Sequence, residues 1–329
     1  VQDADIMKRL LVIFLVLVVL AILVAAAGIL FSGGGATFPG KKIVTLTLDR
    51  PVYDYLEAPS FSWIRRGSPQ SLADVWSGLS RARQDSEVLG LSVYLRNARF
   101  GFGKAQEIRS LLQSFRDSDK FVKCFLETAG EGTNGTLAYF VISACDDITL
   151  APMGDVNLVG LFSDAYFLRG TLEKLKIETD FSHAGQYKSA AEQFTNTSHS
   201  PAAEEALSSV LDDLFDQIVT TIAEDRNLTT EEVRDLIDRA PLTAEEALEG
   251  GLVDSLGYPD EFEASLSETT SEEPRLVPLS DYAPPGRPLT GSRLAVVFTQ
   301  GTIVRGPNGT DPWSQQRYAG SESLATILN

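Results

Sequence analysis

The stretch AGQYKSAAEQF, Ala184 to Phe194, sets one lysine among glycine, serine and alanine. A lysine works as a general base only when its amine is neutral, so desolvation or neighbouring cations must lower a pKa of ~10.4. Small neighbours permit that: Ala184, Gly185, Ser189, Ala190 and Ala191 would let a protein segment or substrate pack closely around Lys188. Gly185 would turn the chain just before the lysine, and Ser189 could orient the amine by hydrogen bonding. On local sequence alone, Lys188 reads as a surface lysine on a turn.

Other chemistry-bearing residues lead elsewhere. His183 and His199 form no HExxH pair and supply no triad base. Cys124 and Cys145 are too few for a disulfide framework and lack zinc spacing. Each lies in an apolar segment, so buried free thiols are expected. GFGKAQ at Gly101 puts Gln106 where a dinucleotide fingerprint needs its third glycine, and neither a GxSxG elbow nor a GxxxxGK[ST] loop occurs. The pairs Asp146/Asp147 and Glu204/Glu205 read as solvated faces. No cofactor or metal is expected. The net charge of -17 opposes nucleic acid as a partner, because phosphate contacts need clustered Lys and Arg.

The elements that must position Lys188 read as alternating strands and helices. IVTLTL at Ile43, VLGLSVYL at Val88 and KFVKCFL at Lys120 are β-rich. Between and after them lie helical patterns following Ser71, from about Ala105 to Phe115, and ending near Cys145. This is the signature of βα units around a mostly parallel sheet, hence an α/β core. Ser200 and Pro201 open a long helix as N-cap and first-turn residue. Its residues Leu207, Val210, Leu211, Leu214, Ile218 and Ile222 share one face, which reads as packing surface. LEKLKIETDF, before the lysine motif, reads as a helix end running into an exposed strand.

Residues 10–31, LLVIFLVLVVLAILVAAAGILF, are uncharged and long enough to cross a ~30 Å hydrocarbon core as a helix. Lys8 and Arg9 precede the span and no basic residue follows until Lys41, which predicts a cytoplasmic amino end and an exported body. The expected order is a cytoplasmic terminus at 1–9, an anchor at 10–31 in membrane lipid, a spacer at 32–40 and a first domain at 41–267. A Ser-, Glu- and Pro-rich linker at 268–292 follows. RLAVVFTQGTIV at Arg293 then echoes KIVTLTLDRPVY at Lys42, and ESLATIL at Glu322 echoes QSLADVW at Gln70, so 293–329 reads as the start of a second, incomplete repeat. A fold stopping there cannot close its core, so the chain is expected to be part of a longer protein.

AGQYKSAAEQF, SPAAEEAL at Ser200 and RLAVVFTQGTIV together resemble the signal peptide peptidase A (SppA) family of S49 peptidases in its long, tandem-domain form. The likeness covers nearly the whole chain. It implies a ClpP/crotonase-like βα superhelix behind an N-terminal transmembrane helix, and a membrane-anchored serine endopeptidase with a Ser-Lys dyad that degrades cleaved signal peptides. Lys188 corresponds to the general base, with Gly185, Tyr187 and Ser189 as supporting residues. The family's nucleophilic serine belongs to the second domain, in the neighbourhood of an Asn-Ser-Pro-Gly-Gly-Ser type of segment that this chain lacks; the chain alone is therefore expected to be inactive. The equivalent first-copy loop, LRNARFGFGKAQEI, keeps Gly101 and Gly103 but no Ser-Pro-Gly-Gly, and reads as structural or substrate-lining. The resemblance further implies a homo-oligomer, a tetramer, at a bacterial inner membrane, with the main domain on the periplasmic side. A catalytically silent scaffold or regulator of a partner peptidase is the alternative reading.

Overall fold

The computed structural model describes residues 40–54, 70–96, 98, 100–268, 274–282, 297–299, 301–311 and 317–328. The expected anchor at 10–31 lies outside them, as do parts of the linker and of the second repeat. No described helix is long and apolar enough to cross a membrane. The described residues fall into two compact units, one within 41–50 and 88–276, the other within 51–87 and 277–328.

In chain order the elements are β1 (Lys42–Leu48), β2 (Val52–Tyr53), β3 (Gln70–Ser71), α1 (Leu72–Gln84), β4 (Val88–Leu95), α2 (Phe102–Arg116), β5 (Phe121–Leu126), α3 (Thr136–Ile142), β6 (Asp147–Leu150) and β7 (Asp155–Val156). Then come α4 (Arg169–Lys174), α5 (Glu192–Thr195), α6 (Pro201–Arg226), α7 (Thr230–Arg239), β8 (Leu242–Thr243), α8 (Ala244–Glu249), β9 (Ser255–Leu256), α9 (Pro259–Glu268) and β10 (Arg275–Pro278). Strands β11 (Thr302–Val304), β12 (Gly309–Thr310), β13 (Arg317–Gly320) and helix α10 (Ser321–Leu328) close the order.

The larger unit is built on a sheet in which β1, β4, β5, β6 and β9 lie side by side in that order, all paired in parallel. Parallel strands need crossovers that cover both faces, so their sequences run apolar rather than alternating. Val88–Leu95 is accordingly buried at seven of its eight positions. One face holds an aromatic cluster of Tyr94, Phe125 and Phe262 with Ile43 and Leu266, ring centroids 5.4–5.8 Å apart. The Tyr94 hydroxyl reaches out to Glu263 at 3.2 Å, and burial pushes its pKa well up. Helix α2 contributes Ala105, Ile108, Leu112 and Phe115 to the core and packs against α3 and β5.

Helix α6 is joined to this core by a buried ion pair. Arg109 on α2 and Asp225 near the end of α6 leave only 8% and 7% of their side chains exposed. Nη2 of Arg109 donates to Asp225 Oδ1 at 2.7 Å, Nη1 donates to Ser143 Oγ and to the Phe140 carbonyl, and Ser143 Oγ donates to Asp225 Oδ2 at 2.7 Å. Every charge in the cluster is thus paired and hydrogen-bonded, which burial of ions demands.

The smaller unit holds α1, whose N-cap Ser71 accepts from the Asp74 N–H, the paired β2 and β3, and a sheet ordered β11-β13-β12. Ser323, which the repeat aligns with the N-cap Ser71, lies inside α10 rather than at its cap.

Three expectations are corrected. Cys124 and Cys145 are not free thiols: they form a disulfide, Cα atoms 6.0 Å apart, joining β5 to the turn before β6. Their apolar settings hid the pairing, because parallel β5 and the end of α3 meet only in three dimensions. The second half of LEKLKIETDF is not a strand; residues 177–184 carry no regular structure. Nor is Asp146 merely solvated, since its Oδ2 accepts the Val122 N–H at 2.8 Å.

Two outcomes follow. Asp225→Ala strands the buried guanidinium and should cost about 3–5 kcal/mol in denaturant unfolding. Alkylation of the denatured, unreduced chain should label neither cysteine, and should label both after reduction.

Candidate active site

Lys188 lies between α4 and α6 in a segment that the core does not hold. No residue from 161 to 202 is buried. Apolar side chains there face solvent instead: Phe162 is 75% exposed, Tyr166 79% and Leu175 64%, with Ile177, Phe181 and Tyr187 about half exposed. Helix α6 continues the pattern. Its C-terminal part buries Ile218, Val219, Ile222 and Ala223, whereas Leu207, Leu211 and Leu214 are half-buried and Val210 is 56% exposed. The stripe read as packing surface is therefore covered at one end only.

Polar contacts and ring stacking give the segment its shape. Gly185 has φ +95°, a left-handed conformation that a side chain would strain, although the space around it is open. Its carbonyl accepts the Lys188 N–H at 3.2 Å, closing the expected turn. Ser189 stands beside the lysine, half-buried, and its carbonyl accepts the Glu192 N–H at 2.9 Å, starting α5. Phe181 stacks on Phe194 at 5.7 Å, and Arg169 on α4 donates to the Thr195 carbonyl at 3.0 Å.

Two side chains tie this loop to the first turns of α6. The Tyr187 hydroxyl donates to Glu205 Oε2 at 3.1 Å. The Glu192 carboxylate takes the Ser200 Oγ–H on Oε1 at 2.6 Å and the Ser200 N–H on Oε2 at 2.9 Å. The serine hydroxyl bond, reinforced by the backbone one, holds the Glu192 carboxyl below the usual carboxylate range. Ser200 still caps α6, accepting the Ala203 N–H at 3.3 Å. Ser200 is the cap that its sequence context predicts; Glu205, read with Glu204 as a solvated face, is exposed but accepts the Tyr187 hydroxyl, and Glu192 carried no expectation. Glu192 precedes its partner by eight residues, a spacing that belongs to no local motif.

Lys188 itself is exposed, and its Nζ has no hydrogen-bond or ion-pair partner among the described residues. Gly185, Tyr187 and Ser189 all surround it in the chain, so the four expected site residues form one loop. Gly101 is the N-cap of α2, and both Gly101 and Gly103 have open space where a side chain would sit. A groove of about 480 Å³ between α2 and α6, lined by Gln106, Arg109, Phe140, Asp216, Gln217 and Thr221 among others, does not include Lys188. The described arrangement thus offers an exposed amine in a segment that has no buried residue and several exposed apolar side chains.

Residues 126–271 match the model of peptidase family S49. The chain is 28% identical over 279 residues to the chloroplastic serine protease SPPA of Arabidopsis thaliana, across 82% of this chain and 40% of that protein. Protease 4 of Salmonella typhi is 29% identical over 250 residues, across 72% and 40%. A protein of Enterococcus faecium, named as a candidate signal peptide peptidase SppA, is 26% identical over 232 residues, across 69% and 63%. The chain spans about two-fifths of the length of the first two relatives.

An exposed, unpartnered amine has a direct chemical consequence. In this chain Lys188 should be acylated by an amine reagent as readily as the exposed Lys174 and Lys176, read by peptide mass spectrometry.

Proposed function

We propose, from the match of residues 126–271 to the model of peptidase family S49, that the chain is the lysine-bearing part of a membrane-anchored serine endopeptidase, with Lys188 as general base. The observation that carries the reading is the setting of Lys188: an exposed amine with no partner among the described residues, on a turn made by Gly185, in a segment with no buried residue and several exposed apolar side chains. Large exposed apolar surfaces mark places where other protein or an apolar ligand binds. Covering this face would also desolvate the amine and favour its neutral form, the form that a base requires.

In the proposed reaction Lys188 Nζ takes the proton of a serine hydroxyl as its oxygen attacks a peptide carbonyl carbon. Backbone N–H groups stabilise the oxyanion. The proton passes to the leaving amine as the peptide bond breaks, and water then hydrolyses the acyl-enzyme. The serine is proposed to lie beyond residue 329, in the second of two ClpP/crotonase-like domains, and the subunits to assemble as a homo-oligomer, a tetramer by resemblance. Tyr187 and Ser189 support the lysine loop in this scheme.

Signal peptides are the proposed substrates. Apolar extended segments suit an apolar face, and one relative's name specifies that substrate class. Residues 10–31 are the proposed anchor, a single pass through a bacterial inner membrane with the body on the exported side. The Cys124–Cys145 disulfide supports that side, because such bonds persist in oxidising compartments.

In the complete protein, Lys188→Ala should lower kcat for peptide hydrolysis on the order of 10²- to 10⁴-fold, the usual worth of a positioned base, with the assembly unchanged by light scattering. Hydrolysis retained at normal assembly would overturn the base assignment and leave the silent-module reading in its place.

A further inference from the structure

We infer that Glu192 is the positioning residue of this site, clamping the lysine loop onto the N-terminus of α6. The inference rests on Lys188 being the base. Its starting point is the lack of any buried residue from 161 to 202, so close burial of apolar side chains in the core is not what fixes the loop. Helix α5 has only four residues, too few to be stable by its own hydrogen bonds. Side-chain tethers must do the work instead, and Glu192 makes the strongest available kind, a charged acceptor holding two donors of one residue.

The clamp is short and directional. Glu192 sits four residues after Lys188, and its own N–H bonds the carbonyl of Ser189, the lysine's neighbour. Its carboxylate reaches Ser200, whose hydroxyl proton is thereby committed to Glu192 while the oxygen accepts from Ala203. The negative charge also stands at the positive end of a 26-residue helix. One carboxylate thus couples the lysine turn, α5 and the cap of α6, and α6 is in turn held to the core at Asp225. Tyr187 to Glu205 is a second tether on the other side of the lysine. Both tethers end on α6, so Lys188 is referenced to that helix rather than to the sheet.

The test uses the complete protein and a fluorogenic apolar peptide, together with amide exchange over residues 185–196. Glu192→Ala should reduce kcat on the order of 10²-fold, as misplacement of a catalytic group by about 1 Å does, while KM stays nearly constant and exchange in 185–196 accelerates. Ser200→Ala should act in the same direction, and adding it to Glu192→Ala should do no further harm, since the two share one interaction. Glu192→Gln, which keeps one acceptor oxygen and the side-chain shape, should fall between and serves if the alanine variant does not fold. Unchanged kcat and exchange, additive effects of the two substitutions, or a uniform loss of thermal stability without local exchange would each overturn the clamp. Should Lys188→Ala remain active, the base assignment falls by itself, and the exchange measurement still decides whether Glu192 holds the loop.

Discussion

The buried pair of Arg109 and Asp225 is the constraint on which the rest of the arrangement depends. It sits where α2, α3 and the end of α6 converge, with Ser143 and the Phe140 carbonyl completing its hydrogen bonds. Such a pair is a weak source of net stability but a strict one of geometry, because either charge without its partner would be left in the core. It therefore fixes where α6 leaves the βα core. The apolar contacts of Ile218, Val219, Ile222 and Ala223 fix the same end of the helix.

From that anchorage α6 runs back toward its cap. At 1.5 Å per residue, Ser200 lies roughly 37 Å along the axis from Asp225. The first turns of the helix, and the lysine loop tied to them, thus stand far from the ion pair that anchors its other end. The larger unit consequently has two regimes. Its sheet, with Tyr94, Phe125 and Phe262, is held by burial, whereas residues 161–202 are held by turns, stacking and side-chain tethers. Segments with few buried contacts are drawn from the low-stability end of a fold, and functional loops often come from there.

The chemistry suits that division. A lysine held rigidly in a sealed core could be neutral but could not meet a substrate. Lys188 instead lies exposed in that second regime, in a segment that also leaves Phe162, Tyr166 and Leu175 in solvent; in the proposed scheme, desolvation of the amine and arrival of its reaction partner would be one event. Glycine at 185 and small residues from 189 to 191 leave room for that approach.

Much of the scaffold was determined by the sequence itself. Apolar β runs at Ile43, Val88 and Lys120, the cap at Ser200 with Pro201, and the turn at Gly185 are local signals, each arising from side-chain period or backbone preference within a few residues. A turn just before Lys188 and the exposure of that lysine were legible locally, whereas a catalytic role for it came only from a family resemblance. What the tertiary structure alone decided are relations between distant positions. Cys124 bonds Cys145 only because β5 and the end of α3 are brought together; Arg109 finds Asp225 across 116 residues; and Glu192 reaches Ser200 only because the chain between them folds back. The half-covered stripe of α6 is the clearest case. Its helical period was plain, but periodicity says which residues share a face, and only packing against other elements says how much of that face is buried.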